Sequence, residues 1–221
     1  SDPAMAFARY YAEQGYVTIA PDCITAGERA SAGLKPYDTT RFYKDNPTIS
    51  VAGKMLADHM RAIDVLCEMK RVDPGRIGVI GHGLGGHNAL LLAAFEERVQ
   101  ACVASGAFTR FEDDNEPTRW ANSGLFSYLP AMREALEKRA VAFDWEHILA
   151  LAAPTPIQLI TALNDEHFPQ TYSCGKAVQI AQQVYKQLGK ANAINNFEHE
   201  EGHTMNAFLQ EVADEWFERW L

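Results

Sequence analysis

The sequence holds no apolar run approaching the ~18 residues of a membrane-spanning helix and opens on no signal-like segment. A soluble protein is expected, with the cytoplasm favoured, although the start looks truncated and an address could have been lost ahead of it. Positive charge is also short: 20 Lys and Arg stand against 29 Asp and Glu, a net charge of -9, with no basic cluster. A nucleic-acid partner is excluded on that ground, because its phosphates would be repelled, and acidic substrates are disfavoured at long range. Cysteine is scarce. Cys23, Cys67, Cys102 and Cys174 show neither metal-type nor disulfide-framework spacing, so reduced, packed thiols are expected. Nothing in the composition suggests disorder or fibrous repeats, and 221 residues suffice for a single α/β domain.

What is present alternates between strand and helix signals. Asp2-Pro3 reads as a helix start leading to about Gln14, which Gly15 ends. Tyr16 to Ala20 is β-rich and reads as a buried parallel strand ending at Pro21-Asp22. After a long polar loop, Met55, Ile63, Leu66 and Met69 recur at helical spacing between about Ser50 and Arg71. Ile77 to Ile80 and Val99 to Ser105 read as strands, with an apolar helix from Leu84 to about Phe95 between them. A third such strand is Pro156 to Leu163. A helix from about Gln170 to Leu188, a strand near Ala193 to Phe197 and a closing amphipathic helix complete the pattern. Residues from about 108 to 151 lack strand signals and read as an inserted helical cap. Its aromatic residues Trp120, Phe126, Tyr128 and Trp145, with Phe168, either wall a pocket or form the cap's own core. The alternation implies a mostly parallel sheet covered on both faces, in which ligands bind beyond the carboxyl ends of strands.

At one such end the chain reads Arg76-Ile-Gly-Val-Ile-Gly-His-Gly-Leu-Gly-Gly86, a buried strand running through a glycine-dense turn into a helix. Gly81 and Gly85 hold the flanking positions of Gly-x-Ser-x-Gly, the nucleophile elbow, and Gly83 stands where its serine would be. Asp165, just past the 156–163 strand, and His203, past the last strand, follow in the order nucleophile, acid, histidine. On these residues, together with Gly15-Tyr16-Val17 to Asp22, Val72 to Gly78, Asp144-Trp145 before Ala153-Pro154, Phe168-Pro169 and Gly202-His203, the chain resembles the α/β-hydrolase superfamily. Within it the dienelactone-hydrolase and acetyl-xylan-esterase-like branch is nearest. The resemblance implies an α/β-hydrolase fold and a small ester or lactone as substrate. Asp165 would orient His203, His203 would deprotonate the nucleophile, and the Leu84 amide would donate to the oxyanion.

Two departures accompany it. Neither serine nor cysteine occupies position 83, so no acyl-enzyme can form. The family also carries strands ahead of the first helix, one of them between the strands here read as 16–20 and 77–80, and the loop after it supplies part of the oxyanion hole. The sheet is therefore expected to have a gap, filled by a partner or a further segment or closed by direct pairing; an unpaired edge would invite a partner, a second copy included.

Rival patterns overlap the same residues. Gly81, Gly83 and Gly86 match the dinucleotide fingerprint Gly-x-Gly-x-x-Gly, but Ala104-Ser105-Gly106 offers no acidic residue for a ribose. His199 to His203 matches His-Glu-x-x-His, yet the segment leads out of a strand and contains Gly202, against the helix a zinc site needs. Neither cofactor nor metal is expected. His82 and His87 flank the turn and could line a pocket, but packed or hydrogen-bonded histidines are favoured. A non-catalytic ligand-binding or scaffold protein remains the alternative to a crippled hydrolase.

Overall fold

The computed structural model describes residues 6–121 and 125–221. The expected helix start at Asp2-Pro3 lies outside these residues. In chain order the elements are α1 (Phe7–Glu13), α2 (Thr40–Asp45), α3 (Val51–Glu68), β1 (Ile77–His82), α4 (Leu84–Phe95), β2 (Val99–Ser105), α5 (Arg133–Glu137), α6 (Trp145–Leu151), β3 (Ile157–Ala162), α7 (Tyr172–Gln187), β4 (Ile194–His199) and α8 (Ala207–Trp220). Boundaries follow local chemistry. The Ser50 hydroxyl accepts from the Gly53 amide at 2.9 Å to start α3, and the Asn206 side chain does the same for α8 through the Leu209 amide.

The four strands form one parallel sheet in the order β1-β2-β3-β4. Side-chain alternation along β2 shows why it is apolar from Ala101 to Ala104: Cys102 and Ala104 join the core beneath α3, α4, α6 and α7, while Ala101 and Val103 join a second core beneath α1 and α8. Register brings the carboxyl ends together, with His82 opposite Ser105, Ser105 opposite Ile160 and Ile160 opposite Phe197. Loops leaving those ends converge on one rim.

Tyr16 to Ala20 corrects the sequence reading. These residues form no strand or other regular element, and Tyr16 and Ile19 are 38% and 42% exposed. Among the described residues, only the Tyr16 amide, donating to the Tyr11 carbonyl, and the Thr18 hydroxyl, donating to the Ala8 carbonyl, bond them elsewhere. β-rich side chains favour an extended backbone, but a strand exists only where a neighbour pairs its amides and carbonyls. Direct pairing with β1 does not occur. A groove of about 900 Å³ separates the two segments, lined by Val17, Ile19, Met55, Val79, Ile80 and Leu92, and it runs to His82 and Leu84. Hydrogen exchange should therefore divide β1: amides bonded to β2 exchange slowly, and those facing the groove exchange at least tenfold faster, whereas β2 is slow throughout. Uniform protection of Ile77 to His82 would contradict an open groove.

The segment between β2 and β3 adds no strand to this sheet among its described residues. Phe108, Phe111, Trp120, Tyr128, Leu136, Trp145 and Leu149 are buried in the same cluster as Leu90, Cys102 and Ile157. Of the aromatic residues that could have walled a pocket, Trp120, Tyr128, Trp145 and Phe168 are thus packed into the main core. No helix of the described residues is long and apolar enough to cross a membrane.

Candidate active site

The turn from β1 into α4 contains a single residue. Gly83 has φ +55° and ψ -120°, a left-handed conformation that a side chain makes costly. It is held from both sides: its amide donates to the Ser105 carbonyl at 2.9 Å, and its carbonyl accepts from the His87 amide at 3.0 Å. The tightness of the turn is visible at Gly81, where a Cβ would lie 2.1 Å from the backbone of Gly85. Leu84, first in α4, has an amide with no intrahelical acceptor, at the positive end of the helix.

Asp165, 3% exposed, lies just beyond β3. One carboxylate oxygen accepts from the amides of His167 and Phe168, both at 2.8 Å, and the other is 2.8 Å from His203 Nδ1. Burial pulls this carboxyl upward, but the hydrogen bond from His203 and those from the two amides outweigh it and hold Asp165 below its ordinary range. An ionised carboxylate only accepts, so Nδ1 carries the proton and Nε2 presents a lone pair. That nitrogen points at the turn: a Cβ built on Gly83 would stand 3.1 Å from His203 Nε2. The loop carrying the histidine is tethered by its own amide, which donates to Glu166 Oε2 at 2.9 Å.

His82 sits against this pair. Its Nδ1 is 3.0 Å from Ser105 Oγ and its ring is 4.3 Å from that of His203. Burial, then the neighbouring His203, push His82 down to about 4, so it is neutral at pH 7. Gly106 leaves room for both rings, since a Cβ there would come within 2.8 Å of His203 and 3.3 Å of His82. The position of His203 also bears on the rival motifs. It faces Gly83 at the amino end of α4, where a pyrophosphate would sit, and Ser105 at the end of β2 bonds His82. His199 closes β4 and residues 200–206 are not helical, so His199 and His203 share no helical face.

These observations bring Gly83, Leu84, Asp165, His203 and His82 to one rim. Residues 4–207 match the dienelactone hydrolase family. The chain belongs to that family. This family member is 25% identical to "Putative hydrolase YtaP" of Bacillus subtilis (strain 168) over 169 residues, which is 76% of this chain and 54% of that protein. Among solved structures it superposes on a promiscuous CE15 esterase from a marine bacterial metagenome with a TM-score of 0.70 at 18% identity, covering 83% of this chain and 53% of that one. The glucuronoyl esterase catalytic domain of Hypocrea jecorina gives 0.68 at 19% identity, with 90% and 59% covered. The chain thus spans about half the length of these three proteins. It has the α/β-hydrolase fold.

His87 stands apart from the rim of this dienelactone-hydrolase-family domain. It is fully buried, with Trp120 stacked on its ring at 4.3 Å and Tyr128 and Trp145 around it, and neither ring nitrogen has a hydrogen-bond partner among the described residues. Of the two readings of this residue, the structure gives the packed ring, held by aromatic contacts. Burial drives its pKa well below the ordinary value. The unfolded chain protonates this side chain near pH 6.5 and the folded one does not, so folding stability falls as pH drops below about 6.5, by up to ~1.4 kcal/mol per pH unit. His87→Leu is expected to stay within ~1 kcal/mol of the parent at pH 7, because an unpaired polar group gives way to an apolar one. It should also shrink the stability loss between pH 6.5 and 5 by ~2 kcal/mol. Urea midpoints at the two pH values test this, and an unchanged acid slope would show that His87 is not held neutral.

Glu166, Ser105 and Gly106 were not singled out as site residues from the sequence. Glu166 adjoins the candidate Asp165, which is the only signal it carried; the other two are ordinary residues of a strand end.

Proposed function

We propose that the site is an acyl-transfer site of the serine-esterase type, built for a small ester or lactone, in which the nucleophile is absent. The observation that carries this reading is the hydrogen-bonded Asp165–His203 pair with Nε2 aimed at a Gly83 that keeps the dihedrals of a strained turn. A nucleophile there would pass its proton to Nε2, Asp165 would stabilise the resulting imidazolium, and the Leu84 amide would donate to the oxyanion. Without that side chain the protein forms no acyl-enzyme, and it is crippled as a hydrolase.

The test is Gly83→Ser assayed with short-chain aryl esters, with Gly83→Ser/His203→Ala as control. A burst of phenol release that the second change abolishes is the expected result. A folded but inert serine variant would overturn the reading. A second reading, ligand binding without turnover, takes support from the apolar groove that reaches His82 and Leu84; it gains if the inert serine variant still binds the esters.

A further inference from the structure

We infer that the domain transfers acyl groups directly to a small external acceptor, a neutral oxygen or nitrogen nucleophile of one to three heavy atoms, without a covalent enzyme intermediate. This rests on the acyl-transfer reading above and extends it from a lost reaction to one the chain performs as it stands. Three observations converge on it. Around the point where a Gly83 Cβ would lie, the only atoms of the described residues within 4 Å, apart from its chain neighbours, are His203 Nε2 at 3.1 Å and Cε1 at 3.7 Å, so among the described residues the base is what bounds this space. The base is intact, its tautomer fixed by Asp165 at 2.8 Å and its loop by Glu166 at 2.9 Å. Ser105 and Gly106 hold the neighbouring elements in place, so the absent side chain has not drawn the turn shut: Gly83 remains bonded to Ser105 and keeps φ +55°.

In this step the acceptor binds beside Gly83 with its O–H or N–H donating to His203 Nε2. As its heteroatom bonds to the ester carbonyl carbon, the proton passes to Nε2 and charge gathers on the carbonyl oxygen, facing the Leu84 amide. The tetrahedral species collapses by breaking the bond to the leaving oxygen, to which Nε2 returns the proton. Water as acceptor gives acid and alcohol; hydroxylamine gives a hydroxamate and the same alcohol. Nothing is oxidised or reduced, and the enzyme is unchanged at the end of one displacement.

The experiment uses the protein as it exists, phenyl acetate as donor and hydroxylamine as acceptor, with acetohydroxamate measured above the rate given by the His203→Ala protein. The expected result is hydroxamate formation about 10²-fold above that control, saturating with hydroxylamine, without a burst and without an acyl adduct in the intact mass. Gly83→Ala should lose at least tenfold of it, because its methyl group meets Nε2. His203→Gln, which keeps a polar side chain but no base, should lose all of it and covers the case in which the alanine variant does not fold. A parent no faster than His203→Ala, while Gly83→Ser shows a burst, overturns this inference and leaves the acyl-transfer reading standing. Inertness of both overturns both, and a hydroxamate rate indifferent to folded Gly83→Ala places the reaction elsewhere and also overturns the inference.

Discussion

Gly83→Ser is expected to raise ester turnover by up to about 10⁶ while lowering folding stability by ~1 to 3 kcal/mol. The rate term is the reverse of what loss of a serine nucleophile costs in a comparable hydrolase. It depends on groups already in place: Nε2 within reach, Asp165 buried and ionised, and the Leu84 amide without a helical acceptor. The stability term comes from the same position, since φ +55° and ψ -120° cost a non-glycine residue energy that glycine avoids. The added Cβ also sits 3.1 Å from Nε2, so His203 must yield by a few tenths of an ångström. The His167 and His82 rings, with centroids 4.7 and 4.3 Å away, pack against His203, so these contacts oppose the shift together with its Asp165 bond. Urea unfolding and burst kinetics on the same preparation separate the two effects. Lost stability without a burst would show that the turn is strained as argued but that the oxyanion lacks enough donors.

The parts of this fold legible in the sequence are those where one local signal settles the outcome. The helix read as Leu84 to about Phe95 and the strand read as near Val99 to Ser105 have those bounds, because both are largely buried and end at charged or glycine residues. Tyr16 to Ala20 was misread because β-propensity reports an extended backbone, whereas pairing needs a neighbour that local sequence does not describe. The site divides in the same way. Asp165 and His203 are readable from their place after strand ends and their order along the chain. Glu166, Ser105 and Gly106 matter through contacts made across the sheet, and no spacing rule marks them. His87 is favoured as packed by the sequence, but its partners are not legible there: helical geometry turns its side chain inward to meet Trp120, Tyr128 and Trp145 from a distant segment.

Arg110→Met is expected to be the most destabilising single change outside the turn, at ~3 to 5 kcal/mol. The guanidinium is 4% exposed and makes a two-pronged bond to Glu146, both contacts at 2.8 Å, with Asp113 and Glu112 also bonded to it and Asp144 4.0 Å away. The last two matter in opposite ways. Glu112 is mostly exposed and would return to water at little cost. Asp144 is buried and committed to the Phe111, Glu112 and Trp145 amides. Burial raises its pKa against those bonds, and Glu146 raises it further, so removing Arg110 leaves two close carboxylates without the guanidinium that offsets them. Glu146 is the group whose sign decides the pH dependence. Burial pushes it up, but Arg110 outweighs burial and holds it below its ordinary range. Its contribution is therefore full above the unfolded value near 4.3 and is lost as pH falls through the lower folded value. In Arg110→Met that preference reverses: Glu146 takes up a proton more readily, and the deficit relative to the parent narrows as pH is lowered toward 4. The double variant Arg110→Met/Glu146→Met should recover at least ~2 kcal/mol of the sum of the single losses, because it removes the stranded charge with its partner. Urea midpoints at pH 7 and pH 4.5 for the parent, both single variants and the double one test the argument. Additive losses, or an Arg110→Met deficit that grows in acid, would show that the arginine acts by packing alone.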